Sequence, residues 1–204
     1  INWTIESAIK SNCFDIILVS TDSQNIADIA VSAGAEVPFL REDFNDDFSS
    51  SSEATISALK QAEVYYDERF NIVTQLMPNC PLRGAADIQA AIEKFLSTRV
   101  NFQISCSEFN WMNPWWAASL DSDGVPEKIF PEKATQRSQD LAKLYCPVGA
   151  IWIAKRQALI EAGTFYGPGH RYLPINWENG IDIDNMEDYL IASKLAKIRT
   201  EKKF

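Results

Sequence analysis

The feature that most constrains this chain is an alternation, through its first half, of short β-branched runs with segments of helical period. DIILVS (15–20), NIVTQL (71–76) and FQISCS (102–107) are apolar runs of strand length. Continuous apolar character over four to eight residues is what a strand buried on both faces needs. Between them, residues 2–11, 23–34, 52–66 and 84–97 place apolar side chains at helical spacing; Trp3, Ile5, Ala8 and Ile9 are one such face. Ser23 is a natural N-cap for the second of these helices and Gly34 its stop. Strands alternating with helices imply a mostly parallel sheet covered on both faces, that is, an α/β chain of three layers. In such sheets ligands bind beyond the carboxyl ends of the strands. That rule puts STDS (20–23), LREDF (40–44) and LMPNCPLR (76–83) at the ligand edge.

The same reading makes EVPF (36–39) a short strand and 41–52 a polar loop. Further on, GAIWIA (149–154), RYLPI (171–175) and GIDID (180–184) read as strands or strand ends, and 155–163 and 185–198 as helices. Residues 108–147 break the pattern with Trp111, Trp115 and Trp116, a DSDG turn (121–124) and the polar run 131–143. They read as an arm inserted into a single domain spanning 1–204, its aromatics suited either to a subunit interface or to core packing.

Bulk properties narrow the function. The chain has 204 residues, 46% hydrophobic and 23% charged, and carries a net charge of −9. A basic footprint for nucleic acid is therefore missing, and any anionic substrate must be held by a few local Arg and Lys residues. No apolar run has the length of a membrane span. Cys13, Cys80, Cys106 and Cys146 show no C-x-x-C spacing and stand far from the single histidine, His170. Reduced thiols and a cytoplasmic location are expected, and a zinc site is not. Motifs for a P-loop, a dinucleotide fold or a nucleophile elbow do not occur.

Four groups of residues can carry chemistry. In GIDIDNMED, alternation on a strand puts Asp182 and Asp184 on one side, about 7 Å apart. Two carboxylates so placed can hold a hard divalent cation such as Mg²⁺ against phosphate oxygens; alternatively Asp184 caps the last helix. Arg41 and Arg83 follow strands and offer bidentate guanidinium groups to phosphate or carboxylate, or else form surface ion pairs. Lys133, Arg137 and Lys143 gather three cations in the arm, which can neutralise an acidic sugar or remain solvated. The serine run 49–52 can supply an anion site at a helix N-terminus, or simply cap that helix through Ser51 or Ser52.

Taken in order, four blocks resemble one family. VSTDSQNIADIAVSAGAEVPFLRED (19–43), QLMPNCPLR (75–83), RSQDLAKLYCPVGAIWI (137–153) and GIDIDNMED (180–188) are similar to successive segments of the acylneuraminate cytidylyltransferases. The resemblance implies a Rossmann-like nucleotidyltransferase fold, a homodimer built through the arm, and CTP and an acidic sugar as substrates. It implies that Asp182 and Asp184 hold Mg²⁺ and are the catalytic pair. It further implies that Arg41, Ser50 and Ser52 face the nucleotide, and that Gln75, Arg83, Arg137, Phe165 and Tyr166 face the sugar. The reaction would be attack by the anomeric hydroxyl of a nine-carbon 2-keto acid sugar (sialic, legionaminic or pseudaminic type) on the α-phosphate of CTP, releasing pyrophosphate. Asn79 and Cys80 depart from the family's Thr-Ser in its Q-P-T-S-P-L-R loop. The family also opens with a strand and an A-R-x-G-S-K-R-like phosphate loop that this chain does not show. The expectation is a native protein with roughly twenty more N-terminal residues, and a strand-wide gap beside DIILVS in the sheet. Two other readings are a non-catalytic sugar-nucleotide-binding subunit that kept the fold and a cytidylyltransferase for another acidic sugar.

Overall fold

A computed structural model describes residues 1–43, 49–110 and 112–201. Its sheet has four strands, β1 (Ile72–Gln75), β2 (Phe102–Glu108), β5 (Tyr145–Lys155) and β6 (Arg171–Pro174), in the order β1-β5-β2-β6. β5 runs antiparallel to both β1 and β2, and β6 lies parallel to β2. Three strands therefore point one way, with β5 reversed between two of them, and their carboxyl ends share one edge.

Burial explains why β2 and β5 are central. Ile151 and Ile153 of β5 face Ile88, Ala91 and Phe95 of helix α4 (Ala85–Ser97). Trp152 and Ala154 face the other way, onto Leu159 of α5 (Arg156–Ala162), onto Phe165 and onto Ile56 of α3 (Ser51–Tyr66). Helices thus cover both faces, giving three layers. Two polar side chains inside β2, Gln103 and Ser105, find partners, as burial demands, while the Ser107 hydroxyl has none among the described residues. Gln103 Nε2 donates to Ala91 O at 2.9 Å. A bulge between Ile104 and Cys106 takes Ser105 out of register. Its hydroxyl then accepts from Ile151 N and donates to Val148 O, both at 2.9 Å, supplying the two hydrogen bonds that the bulge removes from the ladder.

The N-terminal part is built differently. Helices α1 (Asn2–Ser11) and α2 (Gln24–Ser32) pack over Ile17, Val19 and Val37 through Ile5 and Ala30, with Ala35 in the same cluster. Ser23 caps α2, and Gly34 turns the chain with φ of 95°. DIILVS and EVPF were expected as strands; instead they meet in one isolated parallel bridge, Leu18 to Glu36. Val19 N–H donates to Glu36 O at 3.0 Å and Glu36 N–H to Ile17 O at 2.8 Å. Among the described residues no further ladder extends this bridge.

The arm leaves the sheet at the end of β2 and returns at the start of β5. It holds a hairpin of β3 (Ala118–Leu120) and β4 (Pro126–Lys128), turned at Asp121, whose Oδ1 accepts from Asp123 N and Val125 N. Trp115 packs inside the arm, edge-on to Phe130 at 4.9 Å, and its Nε1 donates to Ala142 O. Trp116 is exposed, and Trp111 lies outside the described residues. All four cysteines are free thiols. Among the described residues no helix is long and apolar enough to cross a membrane.

Candidate functional site

The site begins where β1 ends. Past Gln75 the chain folds back in a tight loop, 77–83, with Met77 N–H donating to Gly149 O at 3.2 Å. Arg83 is the brace of this loop. Its Nη1 donates to the carbonyls of Met77, Cys80 and Ala150 at 2.9, 3.1 and 2.9 Å. The residue is 1% exposed, and burial pulls its pKa down to about 10. Sequence placed Arg83 at the ligand edge as a sugar contact. The structure turns its guanidinium inward, because three backbone carbonyls of the loop and of β5 converge there.

Against this loop lies the segment after β6. GIDID was expected as a strand. Instead a 3₁₀ turn, Trp177–Gly180, precedes an irregular stretch through Asp184. The cause is close packing: a Cβ at Gly180 would lie 2.5 Å from Ser107 Oγ and 3.1 Å from Val148 Cγ2, so the backbone passes over the sheet face instead of joining its edge. Ile183 N–H donates to Asn79 O at 2.9 Å, and the Cys80 thiol donates to Asp182 Oδ1 at 3.7 Å. Asp182 is half-buried and Asp184 exposed. Burial, then the charges of Asp184 and Asp188, hold the Asp182 carboxyl above its usual range. Asp184 does not cap helix α6 (Met186–Glu201). Asn185 does, its Oδ1 accepting from Glu187 N and Asp188 N, while Asp188 Oδ2 accepts from Asp184 N and Asn185 N.

This donor set fits Mg²⁺. Carboxylate oxygens are hard donors, and the charges of Asp184 and Asp188, which add to burial in raising Asp182, are what a cation offsets. Among the described residues no group of three or more His, Cys, Asp and Glu side chains is placed to hold a metal. Two carboxylates suffice for Mg²⁺, which keeps waters and takes further oxygens from phosphates.

A second neighbourhood forms on the other side of β1. Gln75 sits opposite Trp152 in the ladder, and its Oε1 accepts from Thr55 Oγ1 at 3.0 Å. Phe165 N–H donates to Ser52 Oγ at 3.3 Å, fixing the α3 N-terminus to the chain after α5. Ser52 is 5% and Phe165 0% exposed, so both are core residues here, not free contacts. Tyr166 remains open, edge-on to Trp152 at 5.3 Å and to His170 at 5.6 Å, with Tyr172 beyond His170 at 5.6 Å. Burial, then Tyr172 and Cys146, push its phenol up. Sequence reading assigned no site role to His170 or Tyr172. The aromatic spacing Tyr166, His170, Tyr172 was the signal available.

The remaining expected residues stand apart. Arg41 N–H donates to Thr21 O at 2.8 Å, and its Nε is buried without a hydrogen-bond partner among the described residues. Ser20 Oγ is buried in the same condition. Ser50, not Ser51 or Ser52, caps α3 in a capping box with Glu53. The loop between Arg41 and Ser50 includes 44–48, which lie outside the described residues. Arg137 sits in the arm, exposed, paired with Asp140 at 2.8 Å; Lys143 pairs with Glu108 at 2.9 Å, and Lys133 lies 6.0 Å over the Trp115 ring. An open cleft of about 990 Å³ separates the arm from the sheet, bounded by Met112, Trp116, Lys143, Trp177 and Ile181, next to Asp182.

Comparison with solved structures defines the class first. The fold matches a CMP:2-keto-3-deoxy-manno-octonic acid synthetase complexed with CTP with a TM-score of 0.66 at 12% identity, covering 99% of this chain and 88% of that one. It matches a 4-diphosphocytidyl-2C-methyl-D-erythritol synthase from Anaerococcus prevotii with a TM-score of 0.61 at 12% identity, over 96% and 85%. These place the chain in the nucleotidyltransferase fold. A family model described as cytidylyltransferase matches residues 1–138. Among curated relatives, a pseudaminic acid cytidylyltransferase of Campylobacter jejuni is 30% identical over all of this chain and 88% of the relative. A CMP-N,N'-diacetyllegionaminic acid synthase of Legionella pneumophila is 35% identical over 97% of this chain and 85% of the relative. The chain belongs to the cytidylyltransferase family, the one whose acylneuraminate members its sequence resembles.

Proposed function

We propose that this chain transfers CMP from CTP to the anomeric hydroxyl of a nine-carbon 2-keto acid sugar, of the sialic, legionaminic or pseudaminic type, and releases pyrophosphate. The observation that carries the reading is the Asp182–Asp184 pair, pinned by Asn79 and Cys80 beyond the carboxyl end of β1. Relatives named for pseudaminic and legionaminic acids support the sugar class.

Asp182 and Asp184 would hold Mg²⁺, which when bound offsets the charge of the triphosphate. Arg41, whose Nε lacks a partner among the described residues, would with Ser50 take the anionic nucleotide. Gln75 and Tyr166 would line the sugar side. Arg137 would take the sugar carboxylate: its exposed pair with Asp140 contributes only about 0–1 kcal/mol, so the guanidinium exchanges partners readily. An Asp carboxylate would accept the proton of the attacking hydroxyl. The arm, with Met112, Leu120, Val125 and Ile129 58–68% exposed, would form the interface of a homodimer. A cytoplasmic location suits the free thiols.

The test is pyrophosphate release from CTP with a panel of acidic sugars. A nine-carbon acid is expected to be the best acceptor. Asp182→Asn should lower kcat about 100- to 1000-fold with an unchanged melting temperature. An Asp182→Asn protein of full activity would remove the metal-binding role and, with it, this mechanism.

A further inference from the structure

The loop 77–83 and the segment 178–184 are joined more tightly than two neighbouring loops need to be. Arg199 Nη1 donates to Leu82 O at 2.8 Å, and its Nη2 reaches Glu178 Oε2 at 3.1 Å. Asn79 and Cys80 then reach Ile183 and Asp182 directly. Cys80 is fully buried at 0% exposure, and its own carbonyl is held by Arg83. Its thiol therefore has little freedom, and the hydrogen-bonding side chain it meets is the carboxylate of Asp182.

We infer that Cys80 is a positioning residue for the cation: by donating its S–H to Asp182 Oδ1 it restricts the rotation of the carboxylate that would hold the ion. The inference rests on the cation-binding role proposed above for Asp182. Thiol hydrogen bonds are weak one by one. This one acts on a carboxylate whose neighbour Ile183 is already tied to Asn79, so the backbone is held and the weak bond has only the side-chain torsions of Asp182 left to select. Groups that orient a ligating carboxylate from behind typically change metal affinity 10- to 100-fold when removed. A weak donor places Cys80 at the lower end of that range. Arg83 acts one step further back, holding the Cys80 carbonyl and hence the thiol's origin.

The experiment uses the whole chain with CTP and follows Mn²⁺ binding by electron paramagnetic resonance, a readout that does not require turnover. Cys80→Ala removes the donor. It should raise the Mn²⁺ dissociation constant about tenfold. Cys80→Ser, which restores a donor, should return it to within about twofold of the parent. In pyrophosphate assays the cation concentration for half-maximal rate should shift in parallel, with kcat at saturating cation preserved. An unchanged Mn²⁺ constant in Cys80→Ala overturns the inference. So does a Cys80→Ser protein that binds as weakly as Cys80→Ala, since packing alone then explains the loss. Asp182→Asn serves as the control: if it binds Mn²⁺ like the parent, the cation site itself is misassigned and the inference falls with it. Parent protein that binds Mn²⁺ through Asp182 yet charges no nine-carbon sugar would refute the substrate reading and leave the role of Cys80 standing.

Discussion

DIILVS and FQISCS carry strand signals of similar strength, yet they end in different states. FQISCS lies in β2, whose residues are buried at six of seven positions and paired to β5 on one side and β6 on the other. DIILVS is half-exposed along most of its length and joins its neighbour by the single Leu18–Glu36 bridge. Side-chain character alone thus does not make a strand; it needs a neighbour whose backbone pairs with it over several residues, as β5 does for the edge strand β1. The difference runs through the candidate site. Gln75, Cys80 and Asp182 rest on the complete sheet, whereas Arg41 is held by the thin N-terminal unit. Helix α3 joins the two. It reaches the sheet side through Glu63, paired with Arg156 at 2.7 Å, and the N-terminal side through Tyr66, whose hydroxyl donates to Glu36 at 2.6 Å. Burial, reinforced by Glu36, pushes the Tyr66 phenol up to about 12.

The sharpest way to break this comparison is amide hydrogen exchange. The amides of Ile104, Ile151 and Ile153 should open only with the global transition. Those of Val19 and Glu36 should open locally, about 4 kcal/mol more easily, which is roughly a thousandfold in protection. Equal protection in the two regions would show that they form one cooperative unit despite the single bridge.

Core truncation gives the next largest effect. Ile153 is 0% exposed between β5 and α4, so Ile153→Ala should lower stability by about 3–4 kcal/mol in urea unfolding. Ile17 packs against Ile5 and Ala30 but is only half-buried, and Ile17→Ala should cost about 1 kcal/mol. A cost at Ile17 equal to that at Ile153 would mean that the N-terminal packing matters as much as the sheet.

Much of this architecture was legible in the sequence, and the reasons for the exceptions are physical. The helices declared themselves through periodicity and caps, as with Ser23 and Gly34 around α2. The order of layers followed from βα alternation. What the pattern hid was direction and pairing. GAIWIA looks like any buried strand, and nothing in it says that β5 runs against its neighbours. GIDID alternates like a strand, but Gly180 is pressed onto Ser107 and Val148, a tertiary contact that no local signal carries. At the site, the pair Asp182–Asp184 was visible as a motif. The inward turn of Arg83 was not, because a guanidinium bound to two carbonyls of its own loop and to that of distant Ala150 reads in sequence like one awaiting an anion. The thiol–carboxylate contact of Cys80 joins residues 102 positions apart and is equally invisible.

The smallest expected effect concerns the tie between α3 and the sheet side. Hydrogen bonding from Arg156 holds the Glu63 carboxyl below its ordinary value of 4.5, against the opposing influence of burial. Arg156 Nε and Nη2 each donate to one Glu63 oxygen, at 2.8 and 2.7 Å, a bidentate pair. Because the folded-state value is depressed, the stabilisation is complete above 4.5 and is lost as pH falls through the folded-state value. Melting temperatures of the parent and of Arg156→Met should therefore differ by a constant amount from neutral pH down to about 5, and the gap should close below 4.5. Hydrogen exchange in the variant should rise first at the C-terminal end of α3, while the Leu18–Glu36 bridge stays as it was. A gap that persists undiminished at pH 3 would mean that Arg156 acts through its aliphatic stem on α3, not through its charge. Faster exchange at Val19 in the variant would show that the two regions are coupled through α3 more strongly than one ion pair and one phenol bond suggest.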